Sequence, residues 1–282
     1  MHLETAVAQY HDLRGQVLAK VGKDGRANLQ SLLLSTVFDR NLSMEDVFMR
    51  IWDKPLFSGV RVENGEKWKG QLREAISLIS INDFDEKYLV SKAGHAKPIG
   101  NKAKSLCGKT SAANWRVCNI IRMARGLQNR NDLTLGDVFG HEDIDLSATL
   151  NLINTLSDAF GVGWGTITCF HAAADLGYPV IKPDIHVGKS MFRLGWFYGI
   201  GNNGYPYVDS DIKNMFRSSL IIQMAAQARA RLVGDVLLEN NDRAFRDIAN
   251  YSILREIDLV LMRASQLNMV DVHHDYYELH AQ

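Results

Sequence analysis

Apolar residues recur along this chain at the three- and four-residue spacing of a helix, and strict alternation of apolar and polar positions is scarce. Leu3, Val7, Tyr10, Leu13, Val17 and Val21 fall on one face of an N-terminal helix. Leu72, Ala75, Ile76 and Ile79 repeat the same spacing. So do Val117, Ile120, Ile121 and Ala124, with Leu127 extending the stripe. Phe245, Ile248, Tyr251, Leu254, Ile257 and Leu261 predict a long amphipathic helix near the end. The five prolines all fall outside these stretches. Residues 91–114 are rich in Gly, Ser, Asn and Lys, and residues 199–210 form a Gly/Asn/Pro cluster; both predict loops. No internal repeat is present. The pattern predicts an all-α fold.

Composition narrows the class further. A chain of 282 residues with 46% hydrophobic content can bury a substantial core, in one domain or two closely packed lobes. No apolar run approaches the roughly eighteen residues that read as a membrane span, and residues 1–16 lack the basic-then-apolar layout of a signal peptide. Cys107, Cys118 and Cys169 are an odd count at wide spacings, which indicates neither a disulfide framework nor a zinc site. A reducing, cytoplasmic location is therefore expected.

The net charge is zero, but its distribution is uneven. Residues 87–131 hold ten basic side chains and no Asp or Glu, so the remainder carries a net −10. Such asymmetry suits a phosphate-facing surface on a protein that is otherwise acidic. A solvated basic loop without a partner has the same composition.

Candidate chemistry concentrates in residues 160–187, FGVGWGTITCFHAAADLGYPVIKPDIHV. Leu152, Ile153, Leu156 and Phe160 fit one face of a short helix ending at Gly161. Thr166 opens another, with Cys169, Phe170 and Ala173 on its buried side. Gly161 and Gly163, flanking Val162, let the backbone turn sharply and bare its N–H groups. With Gly165 and Thr166 at the following helix start, these groups make a phosphate site that needs no side-chain charge. An ordinary turn between helices also uses glycine. After twenty intervening residues Gly163 is followed by Asp184-Ile185-His186-Val187. Asp184 is placed both as the N-cap of a helix from Ile185 to Leu194 and as a candidate catalytic carboxylate.

The glycine turn and the Asp-x-His-Val signature together resemble the helix–hairpin–helix DNA glycosylase superfamily, which includes endonuclease III and the adenine-mismatch and alkyladenine glycosylases. Residues 32–52 are similar to an early family helix, although Val37 stands where glutamine is usual. Residues 119–127 look like the helix preceding the hairpin, and 252–262 like a closing helix. The resemblance implies two helical lobes, 28–180 with the hairpin and 1–27 plus 181–282, with an active-site cleft between them. In the family the hairpin grips a DNA phosphate and the Asp is the catalytic carboxylate. A carboxylate near C1′ stabilises the positive charge left on the sugar as the base departs, and orients or deprotonates the attacking water. His186 is then structural, hydrogen-bonded near the hairpin.

Departures from the family pattern carry information too. Members that also nick the strand place a lysine two residues after the second hairpin glycine. Here Trp164 and Gly165 follow Gly163, so the resemblance implies a monofunctional enzyme that leaves an abasic site. Lys182 is near Asp184, but its spacing does not match that lysine. No cysteine follows Cys169, which excludes the C-terminal iron–sulfur cluster of some members. No cofactor is expected, and a monovalent cation at the hairpin is the one ion left open. Gly165 removes volume at the pocket wall, consistent with a large extruded base, such as an alkylated purine or a sugar-decorated cytosine of phage DNA; Trp164 or another aromatic refilling the space is the alternative. Phe38 is a candidate wedge for the vacated stack, or a core residue in a helix with Leu32 and Leu33. Trp164, His171 and Tyr178 are candidate pocket residues. Lys182 and Lys189 flank the catalytic loop as phosphate candidates.

The expectation is thus a monomeric DNA glycosylase acting on duplex DNA with a damaged or modified base, in repair or in defence against foreign DNA. A non-catalytic DNA-binding module, a glycosylase–lyase with a non-standard amine and a helical scaffold are the other readings.

Overall fold

The computed structural model describes residues 3–57, 62–77, 81, 116–140, 146–161, 163–194, 196 and 253–269. Among these residues the regular elements are helical and no strand occurs, the all-α character that the spacing predicts. The helices are α1 (Leu3–Ser35), α2 (Met44–Ile51), α3 (Val62–Ser77), α4 (Arg116–Gln128), α5 (Leu135–Phe139), α6 (Leu146–Phe160), α7 (Thr166–Asp175), α8 (Ile185–Arg193) and α9 (Ile253–Gln266), with a 3-10 turn at Lys54–Phe57. The chain divides into two compact units, Met1–Phe38 with Gly177–Gln282, and Asp39–Leu176. The loops expected at 91–114 and 199–210 lie outside the described residues.

In the first unit the predicted stripe of α1 buries Tyr10, Leu13 and Val17. The helix kinks at Gly22, whose φ of 65° lies in the left-handed region. Beyond the kink, Leu29 and Leu33 join Leu18 and Leu259 of α9 in one apolar cluster, with Val21 and Met262 against it. Each such side chain, fully buried, is worth about 1.5–3 kcal/mol of transfer free energy. Inside this contact the Arg14 guanidinium of α1 donates to Glu256 of α9 at 2.5 Å, both groups almost fully buried. Ion pairing and hydrogen bonding offset the desolvation of two charges there.

Residues 32–52 are not one helix. α1 ends at Ser35, where the Thr36 hydroxyl donates back to the carbonyls of Leu32 and Leu33, and α2 begins only at Met44. Ser43 caps α2: its Oγ accepts the Asp46 N–H at 3.1 Å and donates to the Asp46 carboxylate at 2.6 Å. Phe38 therefore sits in the intervening loop, not in a helix with Leu32 and Leu33.

In the second unit the α4 stripe buries Ile120, Ile121, Ala124 and Leu127, and α6 buries Leu152, Ile153, Leu156 and Phe160. The two helices approach so closely that a Cβ added at Gly126 would stand about 3.0 Å or less from the Ala159 carbonyl group. Cys118 on α4 is disulfide-bonded, contrary to the reading of the cysteine spacing, because separation along the chain does not report distance in space. Cys169 is free and buried. Among the described residues no helix is long and apolar enough to cross a membrane, and no group of three or more His, Cys, Asp or Glu is arranged to hold a metal ion.

Candidate active site

The glycine turn lies in the second unit. α6 ends as the Gly161 N–H donates to the Ser157 carbonyl at 2.8 Å, and the chain reverses through Gly161 (φ 80°) and Gly163 (φ 101°) into α7. Val162 lies outside the described residues. The turn rests on α4. The Asn119 amide donates to the Gly163 carbonyl at 3.3 Å and accepts from Arg122 at 3.2 Å. A Cβ added at Gly163 would stand 2.1 Å from the Asn119 side-chain oxygen, so glycine is required for the approach as well as for the backbone angle. Arg122 also borders Gly161.

Gly165 is the N-cap of α7 and supplies no side-chain cap. The first N–H groups of a helix have no partner inside it, so the start of α7 offers donors and the positive end of the helix dipole. Gly165, Thr166 and Ile167 are exposed there. A Cβ added at Gly165 would meet nothing within 4 Å among the described residues. Trp164 does not refill that space. It is buried against Phe160, ring centroids 4.6 Å apart, and its indole N–H donates to the Asn119 carbonyl at 3.1 Å. Trp164 is thus a core residue of its unit. Burial pushes the Cys169 thiol up to about 12, which leaves it without nucleophilic character near neutrality.

Asp184 lies in the first unit, at the start of α8. One carboxylate oxygen accepts the backbone N–H groups of His186 and Val187, both at 2.9 Å, which makes Asp184 the cap of that helix. The other oxygen faces the Lys182 ammonium at 3.2 Å, and the Asp184 side chain keeps 17% of its surface exposed. One oxygen is therefore committed to the fold and the other lies beside a partly exposed amine. His186 is exposed and its Nδ1 lies 2.9 Å from the Ser265 hydroxyl of α9. Lys189 belongs to α8, and its side chain lies outside the described residues.

Of the remaining pocket and wedge candidates, Phe38 and Tyr178 belong to the first unit and His171 to the second. Phe38 is half-buried and meets Tyr178 edge-on, centroids 5.0 Å apart, within the first unit. Tyr178 is fully buried. His171, in the second unit, stands 3.8 Å from the Asp175 carboxylate. Asp175 pairs with Lys54, which also faces Asp53 at 3.3 Å, while Asp53 takes Lys69 at 2.5 Å. That network ties α7, the 3-10 turn and α3 together.

Two residues that sequence reasoning passed over belong to these sites. Asn119 buttresses the glycine turn. Asp258 of α9 is fully buried, accepts the Lys182 backbone N–H at 3.1 Å and the Arg255 guanidinium at 2.5 Å, and lies close enough to Asp184 for their charges to interact. Burial, with the Asp184 charge adding to it against Arg255, pushes the Asp258 carboxyl up to about 6. No protein-family model, curated protein or solved structure matches this chain.

Proposed function

We propose that the chain is a monofunctional DNA glycosylase that hydrolyses the bond between a damaged or modified base and deoxyribose after the base is flipped out. The observation that carries this reading is Asp184: a carboxylate oriented by two backbone N–H groups at a helix start, with its second oxygen outside that cap and part of its surface open. A carboxylate so fixed can stabilise the positive charge on the sugar and orient the attacking water. Gly161, Gly163, Gly165 and Thr166 are read as the hairpin of a helix–hairpin–helix motif, which takes a phosphate on backbone N–H groups at the start of α7. Arg122, beside the turn, supplies a positive charge near the same phosphate. The space that the described residues leave open at Gly165 supports a bulky base, such as an alkylated purine or a sugar-decorated cytosine.

The test is base release from duplexes carrying such bases. Asp184→Asn keeps an oxygen acceptor for the helix cap, so the protein is expected to fold and bind DNA while base release is lost. Retained turnover in that variant would refute the assignment. Lost DNA binding in glycine-turn variants with no release by the parent protein would favour a DNA-binding module instead.

The Lys182 ammonium at 3.2 Å from Asp184 favours a second reading, a glycosylase–lyase. There the Lys182 amine, after passing its proton to the Asp184 carboxylate, attacks C1′ as the base leaves; the C1′–O4′ bond then opens to give an imine, and loss of a C2′ proton expels the 3′ phosphate. Borohydride trapping separates the two. A covalent adduct that disappears in Lys182→Ala supports the lyase, and its absence supports hydrolysis.

A further inference from the structure

We infer that Asp258 is a positioning residue for Asp184, a buried second carboxylate that fastens the loop on which Asp184 is carried. Its catalytic consequence rests on the glycosylase reading; the fastening itself rests on geometry alone. Asp258 lies on α9 with 2% of its surface exposed. One of its oxygens accepts the backbone N–H of Lys182, two residues before Asp184, and the other accepts from Arg255. On the far side of Pro183, Asp184 is held by the first turn of α8. The segment Lys182–Pro183–Asp184 is therefore gripped at both ends, and proline removes backbone freedom between them.

Among the described residues the charged groups around Asp258 form a balanced set. Arg255 comes from its own helix, and Lys182 and Asp184 come from the loop. From the other packed elements, Arg14 of α1 is engaged by Glu256 and His186 of α8 meets Ser265, so neither serves as its counter-ion here. Burial raises the Asp258 carboxyl to about 6 against the opposing pull of Arg255. An ionised carboxylate is a stronger acceptor than a neutral one. The hold on Lys182 consequently weakens as pH falls through that value.

The experiment compares the full-length protein with Asp258→Ala and Asp258→Asn by amide hydrogen exchange across 178–184, above and below pH 6. Losing a bond to a charged acceptor is expected to raise exchange at the Lys182 amide by about tenfold or more in the alanine variant. Asparagine retains a carbonyl acceptor, so it is expected to restore most of the protection and to lose the pH dependence. Equal exchange in all three proteins, or an unchanged pH response in Asp258→Asn, overturns the inference. A second arm measures base release from duplexes bearing a methylated adenine or a glucosylated cytosine. There Asp258→Ala is expected to lower kcat with DNA affinity unchanged, and Asp258→Asn to recover it. Lost affinity with kcat intact overturns the catalytic role. If the parent protein releases neither base while the exchange pattern holds, the glycosylase reading fails and the loop fastening stands.

Discussion

Replacing Gly163 with alanine tests whether the glycine turn is built against α4 by contact or only by backbone angle. Two separable effects act at this position. Gly163 has a φ of 101°, a conformation that costs a side chain on the order of 1–3 kcal/mol. Independently, the new Cβ would overlap the Asn119 side chain, standing 2.1 Å from Oδ1, 2.3 Å from Cγ and 2.4 Å from Nδ2. Asn119 is only 4% exposed and joins the Gly163 carbonyl to Arg122, so displacing it breaks both hydrogen bonds. Leaving a buried amide unsatisfied costs about 1–3 kcal/mol. Gly163→Ala is therefore expected to destabilise by about 3–5 kcal/mol, taking the middle of both ranges. Asn119→Ala removes the obstacle along with its hydrogen bonds. In the double variant the overlap vanishes and the backbone cost stays. Urea unfolding followed by circular dichroism should then give a double-mutant effect below the sum of the singles by about 1–2 kcal/mol. Additivity within about 0.5 kcal/mol would show that Asn119 does not fill the space beside Gly163.

Four further outcomes follow from the same geometry. Asp184→Ala removes the cap of α8 and is expected to lower stability by about 1 kcal/mol, whereas Asp184→Asn keeps it, as thermal unfolding would show. Lys54→Ala leaves the mostly buried Asp53 and Asp175 without their shared cation, and is expected to cost about 3–5 kcal/mol in urea unfolding. The Asp258 carboxyl is raised from 3.8 to about 6: protonation weakens its bond to the Lys182 N–H but relieves the larger cost of burying the charge, so its net contribution to folding is fully present below the lower value and lost as pH rises through the higher one. Stability should accordingly fall by about 3 kcal/mol across that window relative to Asp258→Asn in pH-resolved denaturation. Arg122→Ala is expected to reduce the log–log salt slope of duplex binding by about 0.9, and an unchanged slope would place Arg122 away from the phosphate.

Much of the fold was legible because it depends on neighbours along the chain. Tyr10, Leu13 and Val17 on α1, and Ile120, Ile121, Ala124 and Leu127 on α4, are buried as their spacing predicts. The cap at Asp184 was legible for the same reason, since its partners His186 and Val187 are two and three residues away. The break between α1 and α2 had a local signal as well: Ser43 and Asp46 have the Ser-x-x-acid spacing that opens helices, and the apolar run through 32–38 hid it. What stayed hidden depends on distant partners. Trp164 turns inward because its indole finds the Asn119 carbonyl 45 positions earlier. Asp258 is buried because Lys182 and Arg255 satisfy its oxygens, and Lys182 is 76 positions away. In the sequence Asp258 is only one acid in an amphipathic stripe, where a solvated face is the usual reading.

The placement of Asp184 is set at a distance by α9. Three tethers run from the loop and α8 to that helix. Asp258 takes the Lys182 N–H, the Leu261 carbonyl takes the Ser190 hydroxyl, and the Ser265 hydroxyl meets His186. Their spacing along α9, three residues and then four, puts all three on one helical face. α9 is itself fixed to α1 by the Arg14–Glu256 pair and the leucine cluster around Leu259. A carboxylate must be held to within about half an ångström to act on a developing charge, and a loop alone does not provide that. Here the loop takes its order from a packed helix pair. His186 then has a physical role distinct from chemistry: its ring nitrogen anchors the first turn of α8, whose N–H groups orient Asp184. Substitutions at Ser190, Ser265 or Asp258 would accordingly act on Asp184 through geometry, without any of them having to touch a ligand.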